Sequence, residues 1–157
     1  MSSVIHARIA TTLGQSGLLP FFALAIALWL PWEPWQQTKL EFALIAYSAV
    51  ILSFLGAVHW GLALATPELG RPQAWNAYGW SVTPALLGWL ALLMSMLGLP
   101  TWLVLLFLAG DFLLARIVDS SLLPLYSAAA PWYLGLRTRL TLAACAALLA
   151  AALAVLP

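Results

Sequence analysis

What most constrains this chain is a succession of long apolar stretches, separated by proline-bearing turns and almost free of charge inside. A helix needs about 20 apolar residues to cross the ~30 Å hydrocarbon core of a bilayer. Runs of that kind are read at about 10–30, 41–66, 78–97, 101–118 and 140–156. Pro31, Pro67 and Gly98-Leu99-Pro100 punctuate them, because proline has no N–H to continue a helix and clashes with the turn before it. Backbone polar groups in hydrocarbon must be satisfied within their own segment, so each run predicts a helix. The expected fold is therefore all-α: an integral membrane protein with one membrane domain over 1–157, folded as a bundle of five transmembrane helices. Only 7% of residues are charged and the mean hydropathy is +1.00, where a soluble domain carries about 25% charge. No soluble domain fits beside five spans.

The connections carry the remaining information. Glu68–Asn76 is polar, and 119–133, with Pro124 and Pro131, is expected to lie along the membrane interface. Arg8 precedes the first stretch, but no small-x-small cleavage site follows it, so this stretch reads as a retained span and not a signal peptide. If the spans alternate, Arg8, Arg71, Arg116, Arg137 and Arg139 share one side and Lys39 stands on the other. The positive-inside rule then places the N-terminus inside and the C-terminus outside. Trp29, Trp32, Trp35, Trp75, Trp80, Trp102 and Trp132 fall near span ends, as interfacial anchors do. In the last stretch Ala143, Ala147 and Ala151 recur every fourth residue, a face on which helix backbones can approach closely.

Several chemistries find no support. Net charge is +1 and there is no basic run, which argues against nucleic-acid binding. Cys145 is the single cysteine, so neither a disulfide framework nor metal-type spacing exists. There is no glycine-rich phosphate loop and no His-x-x-x-His pair. Ser16 and Ser81 lack a base at a convincing spacing, and His6 lies outside the bundle, so neither a hydrolase triad nor a haem is expected. No catalytic residue, metal or cofactor is assigned, and the chain reads more as a non-enzyme than as an enzyme.

The residues that stand out are ionisable groups in apolar surroundings. His59 lies in Gly56-Ala57-Val58-His59-Trp60-Gly61, and Asp111 interrupts 103–114. An ionisable group in hydrocarbon costs roughly 2.5 kcal/mol or more, so it faces a protein interior or a wet cavity. His59 is eight residues before Pro67, and Asp111 is eight before Asp119. If Asp119 marks the inner surface, both lie about 12 Å deep in one layer. Gln15, Ser16, Ser81 and Thr83 add polarity to that half, and Arg137 and Arg139 cap it from just before the fifth span. Arg116 and Asp119, three apart, are placed to meet each other. The outer half offers little beyond Tyr47, Ser48 and Ser95. Three readings of His59 stand side by side: a structural hydrogen bond between helices, ligand or proton chemistry, and, as the weakest, metal binding. For Asp111 the alternatives are a locking ion pair to the fifth span and a functional carboxylate.

These residues also fall within a pattern. Leu13-Gly14-Gln15-Ser16-Gly17-Leu18-Leu19-Pro20-Phe21, the run from Tyr47 to Gly61, Trp80-Ser81-Val82-Thr83-Pro84, Asp111, and Pro131 to Arg137 through Leu140-Thr141 together resemble a small bacterial inner-membrane protein family of unknown function. That family includes the mitochondrial transmembrane protein sixty-nine. The resemblance covers nearly the whole chain; it implies a multi-pass inner-membrane protein and transfers no activity.

The expected function is a membrane binding module. An inward-facing polar pocket would take a small ligand, a lipid headgroup or a proton. His59 and Asp111 form its base, Arg137 attracts anions, Trp60 and Trp80 form walls, and Ser81, Gln15 and Ser16 contribute polar contacts. The alternative is an accessory or assembly subunit of a larger membrane complex, with a membrane-protein partner or a second copy beside it in the lipid. A transporter or channel is disfavoured by the dry outer half, since conduction needs a continuous wettable route.

Overall fold

The computed structural model describes residues 2–125 and 130–157. Among the described residues six α-helices follow one another: α1 (Ser2–Ser16), α2 (Leu19–Ala27), α3 (Pro34–Leu64), α4 (Arg71–Met96), α5 (Thr101–Leu122) and α6 (Ala130–Ala154), with a 3₁₀ turn at Leu123–Leu125 after α5. Among the described residues, five stretches are long and apolar enough to cross a membrane: Ala7–Ala27, Pro34–Leu64, Arg71–Met96, Thr101–Leu122 and Trp132–Ala154. The all-α architecture with five spans expected from hydropathy is the one observed, and its surroundings are a lipid bilayer.

The first span is not one helix. Pro20 occupies the opening turn of α2 and has no N–H to give to the carbonyl one turn earlier. The chain breaks at Gly17-Leu18, and the freed Gly17 carbonyl accepts a 2.8 Å hydrogen bond from the Tyr47 hydroxyl on α3. Phe21 then packs edge-on against Tyr47 and Phe112. Pro84, by contrast, lies inside an unbroken α4.

Two helices start earlier than hydropathy indicates. α3 begins at Pro34, well before Glu41, because Glu33 and Gln36 form a capping box there. α6 begins at Ala130, well before Leu140. The segment expected to lie along the interface is therefore largely helical: its first residues end α5 and its last ones open α6. Residues 126–129 fall outside the described part of the chain.

Packing follows from small residues at close approaches. The longest interface joins α3 and α4. There Gly56 lies against the Ser81 carbonyl and Gly88 against the backbone of Ala49. Gly98, with φ +79°, closes the turn between α4 and α5, a conformation that glycine adopts without a Cβ penalty. Leu44, Ile45, Leu52, Leu105, Leu108 and Leu148 are fully buried between the helices.

Two polar bridges define the register of α3 against α5. At one end the Thr101 hydroxyl donates to Glu41 at 2.5 Å. At the other, His59 meets Asp119. Glu41 to His59 and Thr101 to Asp119 are each 18 residues, or about 27 Å of helix. α3 and α5 thus run parallel and in step over nearly the full thickness of a hydrocarbon core.

Candidate functional site

Asp119 is the centre of the polar cluster. It projects from the last turn of α5 and is 3% exposed. Its Oδ1 lies 2.8 Å from His59 Nε2 on α3, and its Oδ2 accepts from Arg137 Nε on α6, also at 2.8 Å. Arg137 is 2% exposed and its Nη1 donates to the Thr141 hydroxyl at 3.1 Å. Three helices are therefore joined by one carboxylate. The two carboxylate oxygens thus each face one nitrogen, Oδ1 that of His59 and Oδ2 that of the guanidinium. Bonds of this kind are shorter and about twice as strong as neutral ones.

Asp119 lies in the last turn of α5 and Arg137 two turns into α6, so their pairing ties the end of one helix to the next. Nearby, Arg116 Nε donates to the Thr138 hydroxyl at 2.7 Å.

The cluster revises the layer inferred from depth. Asp119 does not mark a surface; it is the buried partner at the level of His59. Asp111 lies eight residues back along α5, about 12 Å away, close to the middle of that helix. It is 6% exposed, and its Oδ2 finds no hydrogen-bond partner among the described residues. The expected Arg116–Asp119 contact does not form either. The two are three apart, but Arg116 bonds Thr138 while Asp119 is taken by His59 and Arg137. Arg137 is part of a transmembrane helix, not a cap ahead of one.

The other expected site residues are dispersed. Trp60 is 47% exposed and packs edge-on against Tyr78 at 5.0 Å. Trp80 has a buried Nε1 without a partner among the described residues. The Ser81 hydroxyl bonds the Tyr78 carbonyl of its own helix. Ser16 does the same to Thr12, and Gln15 lines a separate opening with Thr11, Trp132 and Arg139. Of the expected set, the structure brings His59 and Arg137 together through Asp119, and adds Thr141 on Arg137; the sequence reading assigned neither Asp119 nor Thr141 to the site.

Beside the cluster is a cavity of about 400 Å³ between α1, α2, α3, α5 and α6. Its walls are apolar, with Gly14, Phe21, Ile51, Val58, Phe112 and Ala144 among them. Tyr133, Arg137 and Thr141 supply the polar groups of the α6 wall. Nη2 of Arg137 is buried and has no partner among the described residues. The cavity thus combines a long apolar wall with a buried arginine whose Nη2 group has no partner among the described residues. Among the described residues, no three His, Cys, Asp or Glu side chains gather as a metal site would require.

Comparison with known proteins adds three findings. A family model described as "Protein of unknown function (DUF3429)" matches residues 6–153. Transmembrane protein 69 of Xenopus tropicalis is 35% identical over 135 residues, 86% of this chain and 50% of the relative; the chain spans about half the length of that protein. No solved structure matches the chain.

Proposed function

The chain belongs to this DUF3429 family of unknown function, and on that footing we propose that it is a membrane binding module whose cavity takes a small amphiphile from the bilayer. We place it in a bacterial inner membrane, with the arginine-bearing end of the bundle inside, on the family resemblance and on the positive-inside asymmetry. The whole of 1–157 acts as one membrane domain. The His59–Asp119–Arg137 cluster is the rigid wall of the site, and Arg137 presents the hydrogen bond that orients the ligand. The observation that carries this reading is the buried, unpartnered Nη2 of Arg137 beside an apolar cavity. A buried N–H without an acceptor costs about 1–3 kcal/mol, which a bound acceptor removes. The volume of about 400 Å³ falls within the usual range of ligand pockets, roughly 300–1,000 Å³.

The test is extraction and mass spectrometry of small molecules that copurify with the protein in mild detergent. Val58→Trp fills the cavity from a half-buried wall position and leaves the cluster's own residues unchanged. A stoichiometric amphiphile is expected with the native chain and should disappear in the variant. If the two carry the same lipids in the same amounts, the cavity is not a binding site.

A further inference from the structure

We infer that the ligand of this cavity is a single-chain amphiphile with an anionic head, a carboxylate or a phosphate, bound to Arg137 and Thr141. The inference rests on the binding reading above and adds the charge and the shape of the ligand.

The charge follows from an imbalance around the cluster. Two guanidiniums, Arg116 and Arg137, engage side chains between the end of α5 and the first half of α6, while Asp119 provides the ion pairs found among the described residues. Both oxygens of Asp119 are taken, by His59 and by Arg137 Nε. Arg116 is bonded to a neutral hydroxyl, that of Thr138. Arg137 engages Asp119 through Nε alone, leaving Nη2 unpartnered, where a two-pronged pairing would have used it. Thr141 accepts from Nη1, and its own hydrogen is given to no described residue. Nη2 and the Thr141 hydroxyl are therefore two donors on adjacent turns of one helix, in a low-dielectric setting with surplus positive charge. An anionic oxygen satisfies both and balances the surplus.

The shape follows from the walls. From Arg137 to Ala144 the α6 wall runs seven residues, about 10 Å, and beyond Thr141 it is apolar. Leu13 and Phe54, which also line the cavity, are 68% and 66% exposed. They form its rim towards lipid, so a chain whose head is held at Arg137 continues between α1 and α3 into the bilayer. A volume of about 400 Å³ is near the lower end of ligand pockets, which suits one chain and not two.

The experiment uses the full chain, delipidated and reconstituted in detergent, with cis-parinaric acid as a fluorescent single-chain probe. Oleate and oleoyl-lysophosphatidate are competed against oleyl alcohol, which has the same chain and an uncharged head. One or both anions should displace the probe at a concentration at least about tenfold lower than the alcohol, the factor of one charge-assisted hydrogen bond. Which anion does so distinguishes carboxylate from phosphate. Arg137→Lys keeps the charge opposite Asp119 and loses Nη2, and should erase the preference. Thr141→Val leaves the Arg137–Asp119 pair in place and should reduce it, so the idea stays testable if the lysine variant fails to fold. Equal displacement by alcohol and anions overturns the anionic head but leaves a binding module. Failure of every amphiphile, or indifference to Val58→Trp, overturns the binding reading itself.

Discussion

Replacing Asp119 by Asn separates the buried ion cluster from apolar packing as the force holding α5 to its neighbours. The substitution keeps the shape of the side chain and one acceptor oxygen, and removes the charge. Two hydrogen bonds of 2.8 Å then lose their ionic partner, and an arginine that is 2% exposed is left without a counter-charge. Removing one member of a buried pair costs about 3–5 kcal/mol, most of it from the stranded charge. That is a large fraction of a folded domain's ~5–15 kcal/mol. Asp111→Asn makes the contrast within the same helix. Its Oδ2 has no partner to lose, so the change is expected to be neutral, or stabilising by up to about 1 kcal/mol as the ionisable group leaves hydrocarbon. The assay is unfolding in mixed micelles of rising dodecyl sulfate content, followed by far-ultraviolet circular dichroism and tryptophan fluorescence. A further variant, Asp119→Leu with Arg137→Met, removes the pair together and should recover much of the loss, because the cost lies in breaking the pair and not in lacking it. The reasoning fails if the two Asn variants are equally unstable, or if Asp119→Asn stays within about 0.5 kcal/mol of the native chain.

Two other expectations concern packing and sidedness. A Cβ on Gly88 would stand 2.9 Å from the Ala49 Cα, so Gly88→Ala should cost about 1–3 kcal/mol by overpacking α3 on α4. Gly110→Ala, with nothing within 4 Å of the added carbon, should be neutral or gain up to about 1 kcal/mol from helix propensity; the same titration reads both. For sidedness, single cysteines in a Cys145→Ser background report each connection to a membrane-impermeant maleimide in intact cells. Gln37→Cys should be labelled at once and Glu68→Cys only after permeabilisation, and the opposite pattern would reverse the proposed orientation.

The five spans could be read from the sequence because hydropathy measures what a bilayer selects, apolar length. Helix ends were harder, and the site inherited the error. Arg137, Thr138 and Arg139 give the start of α6 the look of a loop, although Arg137 is held inside the bundle by Asp119 and Thr141 and Thr138 bonds its own helix. In the sequence Asp119 reads as a surface residue because it adjoins a segment with Pro124 and Pro131 and has Arg116 three residues before it. Its real environment was present in another signal. Leu108, Ala115 and Asp119, with Asp111 and Phe112 between, recur at helical spacing on the buried face of α5. Read on its own, Asp111 is the more conspicuous acid because it interrupts an apolar run. Conspicuousness in hydropathy says that a residue is expensive; only the neighbouring helices say whether it is paired. His59 and Arg137 could be singled out, whereas the carboxylate joining them required the packing of α3, α5 and α6.

That packing also determines which part of the bundle can yield to a ligand. Sliding α3 along α5 by one turn would move it 5.4 Å and break both the Glu41–Thr101 and the His59–Asp119 bridges. The α3–α5–α6 side of the cavity is therefore rigid. Its other side is a span interrupted at Gly17-Leu18, where one hydrogen bond from Tyr47 ties the interruption to α3. Non-helical backbone at membrane depth is tolerated where it is covered by protein or lines a cavity, and Gly17 and Leu18 do line this one. Tyr47→Phe removes the tie while keeping the ring against Phe21. It should raise hydrogen–deuterium exchange in 14–22 at least about fivefold, as expected for losing one hydrogen bond of about 1 kcal/mol, and leave exchange around Asp119 unchanged. Amphiphile on- and off-rates should then rise together with little change in affinity. Equal loosening on both sides of the cavity would mean that the bundle opens as a whole, and that the interruption in the first span is not its hinge.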